Sequence, residues 1–318
     1  MNKLMKWTCL ALAAAMLPAM AGEASREDAT PPAQAHQPPA IHIEDVYLFY
    51  KVYDAAEARP SAEQLQHEYV DRGTDGLHRF FEQRHTTATS IADAIVAHPA
   101  VFADAKRCMV VLPRVRQRLD VALEKLGQLY PPAAFVPVTV AVGRGKPVGI
   151  SDSTGVMIGI EALCAIGYLE ANVEDRFVHV LAHEYAHVQQ ARSAPAMYDD
   201  PKPTVLEESL IEGVAEFVGE QISGSVSDVY LPAMTKGREK ELETEFAADM
   251  DKTDLSKWLY NGTLTKPGDI GYWVGYRIVK SYYQHAGDKR QALREILEMN
   301  DPKAFLGRSG WYPGIELH

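Results

Sequence analysis

The stretch FVHVLAHEYAHVQQ, residues 177–190, carries most of what this chain reveals about its fold and chemistry. It places His183, Glu184 and His187 in the pattern H-E-x-x-H on an apolar background. On a helix, residues four apart share a face, so both imidazoles can reach one ion, while the glutamate is rotated by about 100° toward a water on that ion. The spacing therefore predicts a zinc site in which Glu184 is the general base.

The flanking residues predict that this stretch is helical. Asn172 is a suitable N-cap, Glu174 and Asp175 follow in the first turn, where the helix dipole favours negative charge, and no Pro or Gly interrupts residues 173–192. His179 lies one turn earlier on the same face. Three histidines on one straight helix span about 12 Å along its axis, so we expect His179 to line a cleft or form a hydrogen bond rather than bind metal.

A short pentapeptide can arise by chance, so a metal site needs a third ligand from elsewhere in the chain. The segment LEESLIEGVAEFVGEQI, residues 206–222, repeats glutamate every four residues, at Glu208, Glu212, Glu216 and Glu220. Such a stripe is typical of a solvated helix face. Two glycines, Gly213 and Gly219, lie near Glu212 around this helix, and each costs about 1 kcal/mol relative to alanine, so we interpret them as allowing a second helix to approach.

On that interpretation Glu212 is the third zinc ligand, and Glu216, one turn further on, accepts a hydrogen bond from a ligand imidazole. Glu208 stays open as the alternative third ligand.

The rest of the chain predicts an α+β protein that is mostly helical. Residues 61–129 have helical periodicity, while FVPVTVAVG (135–143) and TGVMIGIEAL (154–163) are rich in β-branched residues and predict two strands of a small sheet. Helices are expected to follow at 172–192, 205–222, 238–248, 253–260, 269–285 and 288–298.

The N-terminus predicts export. Lys3 and Lys6 precede an apolar run that is too short to span a bilayer, and the small residues up to Ala21 are typical of a signal-peptide cleavage site. We expect residues 1–21 to be removed, which leaves a periplasmic or secreted protein without a membrane span.

The mature chain is expected to consist of a leader and one catalytic domain. Residues 22–40 are rich in Pro and Ala and predict a flexible leader. The domain then covers residues 41–318, with a helical N-terminal part at 41–130 and the sheet and metal-binding helices at 131–318.

The net charge limits the kinds of partner that the protein can bind. Signal cleavage removes two lysines and no acidic residue, so the net charge of -11 becomes -13, which excludes a general attraction for nucleic acid.

Cys108 and Cys164 are the cysteines that remain after signal cleavage. The sequence is equally compatible with a disulfide between them and with two buried free thiols. It does not indicate an oligomeric state.

The motifs HEYAHVQQ (183–190) and EGVAEF (212–217) are similar to those of glutamate-zincin (gluzincin) metallopeptidases. More narrowly, the order of segments resembles a bacterial family of predicted zinc-dependent proteases whose function is largely unassigned; the further segments are IEDVYLFYKVYD, VTVAVGRG, GVMIGIEAL and GDIGYWVGYRIV. The resemblance implies a zincin-like fold with a small sheet packed over the H-E-x-x-H helix. It also implies Zn²⁺ as the cofactor and hydrolysis of peptide bonds in a peptide or protein substrate.

The same resemblance implies His183, His187 and Glu212 as zinc ligands and Glu184 as the base. The chain departs from thermolysin-like enzymes because twenty-four residues separate His187 from Glu212, which predicts a loop at the mouth of the site. Such an enzyme can use a tyrosine to stabilise the oxyanion, and Tyr272 and Tyr276 are the candidates, although aromatic residues at helical spacing also form cores.

Three further hypotheses follow from the resemblance. The strand GVMIGIE can pair with an extended substrate, as sheet edges do. One alternative to a protease is a non-catalytic zincin-fold chaperone or binding protein of the cell envelope. Another is a zinc amidase that acts on cell-wall peptides.

Overall fold

The computed structural model describes residues 39–146 and 148–318. The predicted signal peptide and nearly all of the predicted leader lie outside the described residues. The chain is mostly helical with one small four-stranded sheet, which confirms the α+β class. Within the described ranges, no helix combines the length and the hydrophobicity that a bilayer crossing requires.

The N-terminal part is helical, and the aromatic residues of its first helix form part of the core. Phe49, Tyr50 and Tyr53 are buried on this helix, and the Tyr50 hydroxyl donates to the carbonyl of Phe102 at 2.8 Å. A π-helical turn at Gln66–Val70 and a 3₁₀ turn at Lys106–Val111 join some of the helices. The helices are α1 (Glu44–Ala55), α2 (Ala62–Leu65), α3 (Asp75–Gln83), α4 (Ala88–Ala97), α5 (Pro99–Ala105) and α6 (Leu112–Leu129).

The sheet contains the two predicted strands and two more. Its strands are β1 (Ile41–His42), β2 (Val138–Ala141), β3 (Gly149–Ser151) and β4 (Val156–Gly159), in the order β1-β2-β4-β3. The first three in this order are parallel, and β3 runs antiparallel to β4. Strands β2 and β4 are buried along their whole length, as expected for apolar runs that are covered on both faces.

The hypothesis that GVMIGIE forms a sheet edge is wrong. This segment forms β4, which lies between β2 and β3. The edge strands are β1 and β3, neither of which was predicted from the sequence. Helix α7 (Ile160–Ala165) follows β4, and its Cys164 forms a disulfide with Cys108 in the 3₁₀ turn before α6.

Helix α8 (Val173–Ser193) carries the H-E-x-x-H motif and lies in the interior. The Asn172 side chain accepts from the backbone N–H of Asp175 at 3.2 Å, which confirms the predicted cap. Strands β3 and β4 contact the helix on one side, and α6 and a C-terminal helix contact it on others. Because α8 is covered on several sides, every residue from 176 to 191 is buried, including the polar ones.

The C-terminal part is mostly helical; four of its helices lie within two residues of the predicted bounds, and three short helices were not predicted. The helices of this part are α9 (Pro195–Tyr198), α10 (Val205–Ser223), α11 (Leu231–Thr235), α12 (Glu239–Asp249), α13 (Ile270–His285), α14 (Lys289–Leu297) and α15 (Pro302–Arg308). The helix predicted at 253–260 is wrong, because this segment forms turns. The Asp254 side chain accepts from the backbone N–H of Ser256 at 3.1 Å, a local bond that competes with helix formation.

Helix α10 packs against both α8 and α13, and its glycines mark the two contacts. A Cβ added to Gly219 would lie 3.3 Å from the backbone nitrogen of His183 on α8. A Cβ added to Gly213 would instead overlap the backbone of Gly275 on α13. The interpretation that both glycines admit the metal-binding helix is therefore correct for Gly219 and wrong for Gly213.

Candidate metal centre

Three side chains that the sequence singled out converge between α8 and α10. His183 Nε2 and His187 Nε2 are 3.0 Å apart, and Glu212 Oε2 lies 3.2 Å from the first and 3.1 Å from the second. All three residues are buried, with 6% or 7% of their surface exposed. Among the described residues they form the one group of histidine, cysteine and acidic side chains whose ligand atoms could surround a single metal ion.

The donor set fits zinc. Two imidazole nitrogens and one carboxylate oxygen are ligands of catalytic zinc sites, with bonds of about 2 Å, and ligand atoms around such an ion lie roughly 3 Å apart. Burial opposes ionisation of Glu212, but the two imidazoles, His187 first, lower the pKa of its carboxyl group. The carboxylate is therefore ionised at neutral pH, as a metal ligand must be.

The second nitrogen of each imidazole has its own partner. His183 Nδ1 lies 2.9 Å from Glu216 Oε1, the contact predicted for Glu216. The Ser227 hydroxyl donates to the same oxygen, and the Ser227 N–H donates to Glu216 Oε2 at 2.9 Å. Burial disfavours protonation of His183, but hydrogen bonds that its ring donates to the Glu212 and Glu216 carboxylates outweigh this effect and raise its pKa well above the usual value. With the Nδ1 proton held by Glu216, a metal ion would displace the Nε2 proton and bind the lone pair there.

His187 is oriented by a neutral group. Its Nδ1 lies 2.8 Å from Gln190 Oε1, and Gln190 Nε2 donates to the carbonyl of Ile211 on α10 at 3.0 Å. Gln190 is one turn after His187 on α8, so helical spacing could have identified it. It fixes the imidazole tautomer without adding charge.

Glu184 lies beside β3, one of the two edge strands of the sheet. Its Oε2 accepts from the Ser151 hydroxyl at 2.5 Å. A Cβ added to Gly149 would overlap the Glu184 carboxylate, so glycine is needed for this close approach. Ser151 and Gly149 both belong to β3, which sequence interpretation did not identify as a strand, and no local motif marks either of them.

Residues 135–302 match the sequence profile of a protein family described as predicted Zn-dependent protease (DUF2268). The match covers more than half of the chain and contains every residue of the cluster. The chain belongs to this family. The resemblance inferred from the motifs is thereby confirmed. No curated protein and no solved structure matches the chain.

The other acidic residues of α10 do not contribute ligand atoms to the candidate metal site. Glu208, the alternative ligand, accepts a hydrogen bond from the Tyr260 hydroxyl, which also lies 3.0 Å from Glu212 Oε1. Burial and the nearby Glu212 charge raise the pKa of Glu208 to about 7. Glu220 accepts from the Tyr276 hydroxyl at 2.8 Å, two helical turns from Glu212.

The two candidate tyrosines have different partners in the structure. The Tyr272 ring stacks on the His183 imidazole, with centroids 6.2 Å apart and planes 11° apart. Burial and the Glu212 charge raise its pKa well above the usual value, so its hydroxyl keeps its proton. Tyr276 is directed to Glu220, and the structure therefore gives no support to it as a transition-state donor. Although the two residues are one turn apart on α13, Tyr272 contacts His183 on α8 and Tyr276 contacts Glu220 on α10.

Two more residues at the cluster were missed. Tyr198, in the segment between α8 and α10, donates to the Ser151 carbonyl at 3.0 Å, and its ring lies 5.7 Å from the His187 ring. Tyr260 lies in the segment that was predicted to be helical. His179 was predicted not to be a ligand, and its Nδ1 hydrogen-bonds the Ser223 hydroxyl at 2.9 Å.

Proposed function

We propose that this protein is an exported zinc-dependent metallopeptidase with a zincin-like fold, in which His183, His187 and Glu212 hold the metal and Glu184 is the general base. The observation that carries the proposal is the convergence of the three ligand atoms within 3.0 to 3.2 Å of one another. Family membership supports the proteolytic activity. The predicted signal peptide supports export, and so does the disulfide, because such bonds persist in oxidising compartments.

Zinc bound to these three residues would lower the pKa of water and polarise the scissile carbonyl. Glu184 then takes the proton from the water that attacks the peptide carbon and passes it to the leaving amine. Ser151 orients Glu184 through the hydrogen bond to Oε2. Tyr272, protonated at neutral pH, is the group we assign to the oxyanion.

The substrate is proposed to lie along β3. The Val148 carbonyl accepts from Gly159 of β4 at 3.0 Å, and the Asp152 N–H donates to the carbonyl of the residue before β4 at 3.1 Å. The alternation of an antiparallel ladder therefore directs the backbone groups of Gly149 and Ser151 to the free edge. An extended peptide can pair with these groups beside Glu184. The Ser151 carbonyl already accepts from Tyr198, so Tyr198 competes with a substrate N–H at this end of the strand.

The proposal is tested by separating metal binding from proton transfer. Glu184→Gln should retain zinc, since it leaves the three ligands intact, and should lower hydrolysis of casein by about 10²- to 10⁴-fold through loss of the base. His183→Ala should lose the metal. The matched control is Glu220→Gln, which neutralises an acidic residue outside the cluster and should leave both properties unchanged. Metal content is measured by elemental analysis of the purified mature protein.

Equal hydrolysis by Glu184→Gln and the wild type would refute the assigned base. A protein that binds zinc through His183 but cleaves neither casein nor a peptide library would instead fit the non-catalytic binding protein. Hydrolysis of muropeptides without cleavage of casein would fit the cell-wall amidase.

A further inference from the structure

Tyr260 has a conformation that packing does not explain. Its backbone is left-handed, with φ of 58°, which costs a residue other than glycine on the order of 1 kcal/mol. The residue is 59% exposed, so burial of the ring offsets little of that cost. Its ring makes an edge contact with Tyr272 at 6.4 Å. The hydroxyl, in contrast, points inward to two glutamates of α10.

The turn around Tyr260 is held by hydrogen bonds that fix this conformation. The Asn261 N–H donates to Asp269 Oδ1 at 2.9 Å, and the Asp269 N–H donates to Asn261 Oδ1 at 2.8 Å. The Asn261 amide also donates to the carbonyls of Ser256 and Lys257, both at 3.0 Å. The left-handed conformation is therefore imposed by its surroundings, and its effect is to direct the Tyr260 hydroxyl toward α10.

The contact with Glu212 involves the carboxylate oxygen that does not face the imidazoles. Glu212 Oε2 lies 3.1 Å from His187 Nε2, whereas Glu212 Oε1 lies 3.0 Å from the Tyr260 hydroxyl. The same hydroxyl also contacts Glu208 one turn earlier, and because a phenol has one proton it donates to one of the two carboxylates at a time. Each oxygen of Glu212 thus has its own partner.

We propose that Tyr260 is a positioning residue for Glu212, whose hydroxyl holds Oε1 so that Oε2 alone faces the two imidazoles. The inference rests on the proposed zinc site. A carboxylate free to rotate can offer both oxygens to an ion, whereas a held carboxylate binds through one. Loss of the Tyr260 hydroxyl therefore changes both the affinity for the metal and the number of ligand atoms around it.

The experiment compares Tyr260→Phe, which keeps the ring, with Tyr276→Phe, which removes a hydroxyl that bonds Glu220 on the same helix. Zn²⁺ affinity of the metal-free full-length mature proteins is measured by competition with a chromophoric chelator. We expect the dissociation constant of Tyr260→Phe to rise about tenfold and that of the control to stay at the wild-type value. Tyr260→Gly, which suits the left-handed backbone, should weaken binding to the same extent as Tyr260→Phe.

A second readout is the visible absorption spectrum of the Co²⁺-loaded proteins, which reports the coordination number of the ion. It should change in Tyr260→Phe and not in Tyr276→Phe. Wild-type affinity and an unchanged spectrum in Tyr260→Phe would overturn the role of Tyr260 while His183→Ala still loses zinc. Equal zinc binding by the wild type and His183→Ala would overturn the proposed site, and the role of Tyr260 with it.

Discussion

Helix α10 crosses two neighbouring helices, and the two crossings are built differently. Against α13 the contact is backbone to backbone: a Cβ added to Gly275 would overlap the carbonyl oxygen of Ser209, and one added to Gly213 would overlap Gly275. Against α8, a Cβ added to Gly219 would still lie 3.3 Å from His183 N. The first crossing has no room for side chains, while the second leaves the space in which imidazoles and carboxylates meet.

Along α10, the crossing with α13 forms the scaffold, and the crossing with α8 forms the candidate site. The α13 crossing fixes where α10 lies, and side chains of α10 that face α8 are then placed at hydrogen-bonding distance from the histidines. Glu216 and Glu212 both lie on that side, 2.9 Å from His183 Nδ1 and 3.2 Å from His183 Nε2 respectively. Substitutions at the two crossings should therefore affect different properties.

The largest effect is expected at the α13 crossing. Gly275→Ala should lower the free energy of unfolding by about 3 kcal/mol, because the overlap involves a backbone carbonyl that cannot rotate away and the helices must separate. Urea unfolding measures the change. The control is Gly307→Ala on α15, where an added Cβ meets nothing within 4 Å and alanine should stabilise the helix by up to about 1 kcal/mol. Wild-type stability of Gly275→Ala would remove the distinction between the crossings.

The sequence predicts features that depend on spacing within one helix, but it does not predict which helices meet. Helical spacing places His183 and His187 on one face of α8, and Glu212 and Glu216 on one face of α10, because these relations are local. The Asn172 cap is local as well. The partner of Gly213 was not predictable in this way, because small residues mark a close approach without naming the helix that approaches.

The missed residues depend on contacts between distant segments. Ser151 reaches Glu184 only because β3 pairs with β4, and a three-residue strand is too short to show a periodic pattern. Tyr260 reaches Glu212 only because the segment 253–260 forms turns where a helix was expected. In the first case strand pairing determines the backbone, and in the second the local Asp254–Ser256 bond and the bonds between Asn261 and Asp269 do so.

A smaller effect is expected from the acidic residue that precedes the tight crossing. Glu208 adjoins Ser209, whose carbonyl lies against Gly275, and burial together with the Glu212 charge raises the pKa of Glu208 from 4.5 to about 7. A raised carboxyl pKa means that ionisation costs the folded state stability, a cost absent below pH 4.5 and complete above about pH 7. Glu208→Gln should therefore stabilise the metal-free protein by about 2 kcal/mol at pH 8.

At pH 5 the gain from Glu208→Gln should be well under half of that value, since most of the cost has not yet arisen. Urea unfolding of both proteins at the two pH values measures the difference, and Glu245→Gln on the exposed part of α12 is the control. An equal gain in stability at both pH values would mean that ionisation of Glu208 does not destabilise this end of α10.

The smallest change in stability, and the sharpest test of the comparison, is expected at the α8 crossing. In Gly219→Ala the methyl group meets the backbone of His183 at 3.3 Å, so α8 has to move by only a few tenths of an ångström. The gain in helix propensity is about 1 kcal/mol and offsets this contact, so the free energy of unfolding should stay within about 1 kcal/mol of the wild type.

The same shift of α8 in Gly219→Ala moves His183 relative to Glu212 and should weaken zinc binding by roughly three- to tenfold. Chelator competition, with Gly307→Ala as the control, measures the affinity. If Gly219→Ala loses as much stability as Gly275→Ala and binds zinc normally, the α8 crossing is a scaffold too, and the geometry of the site depends on other contacts.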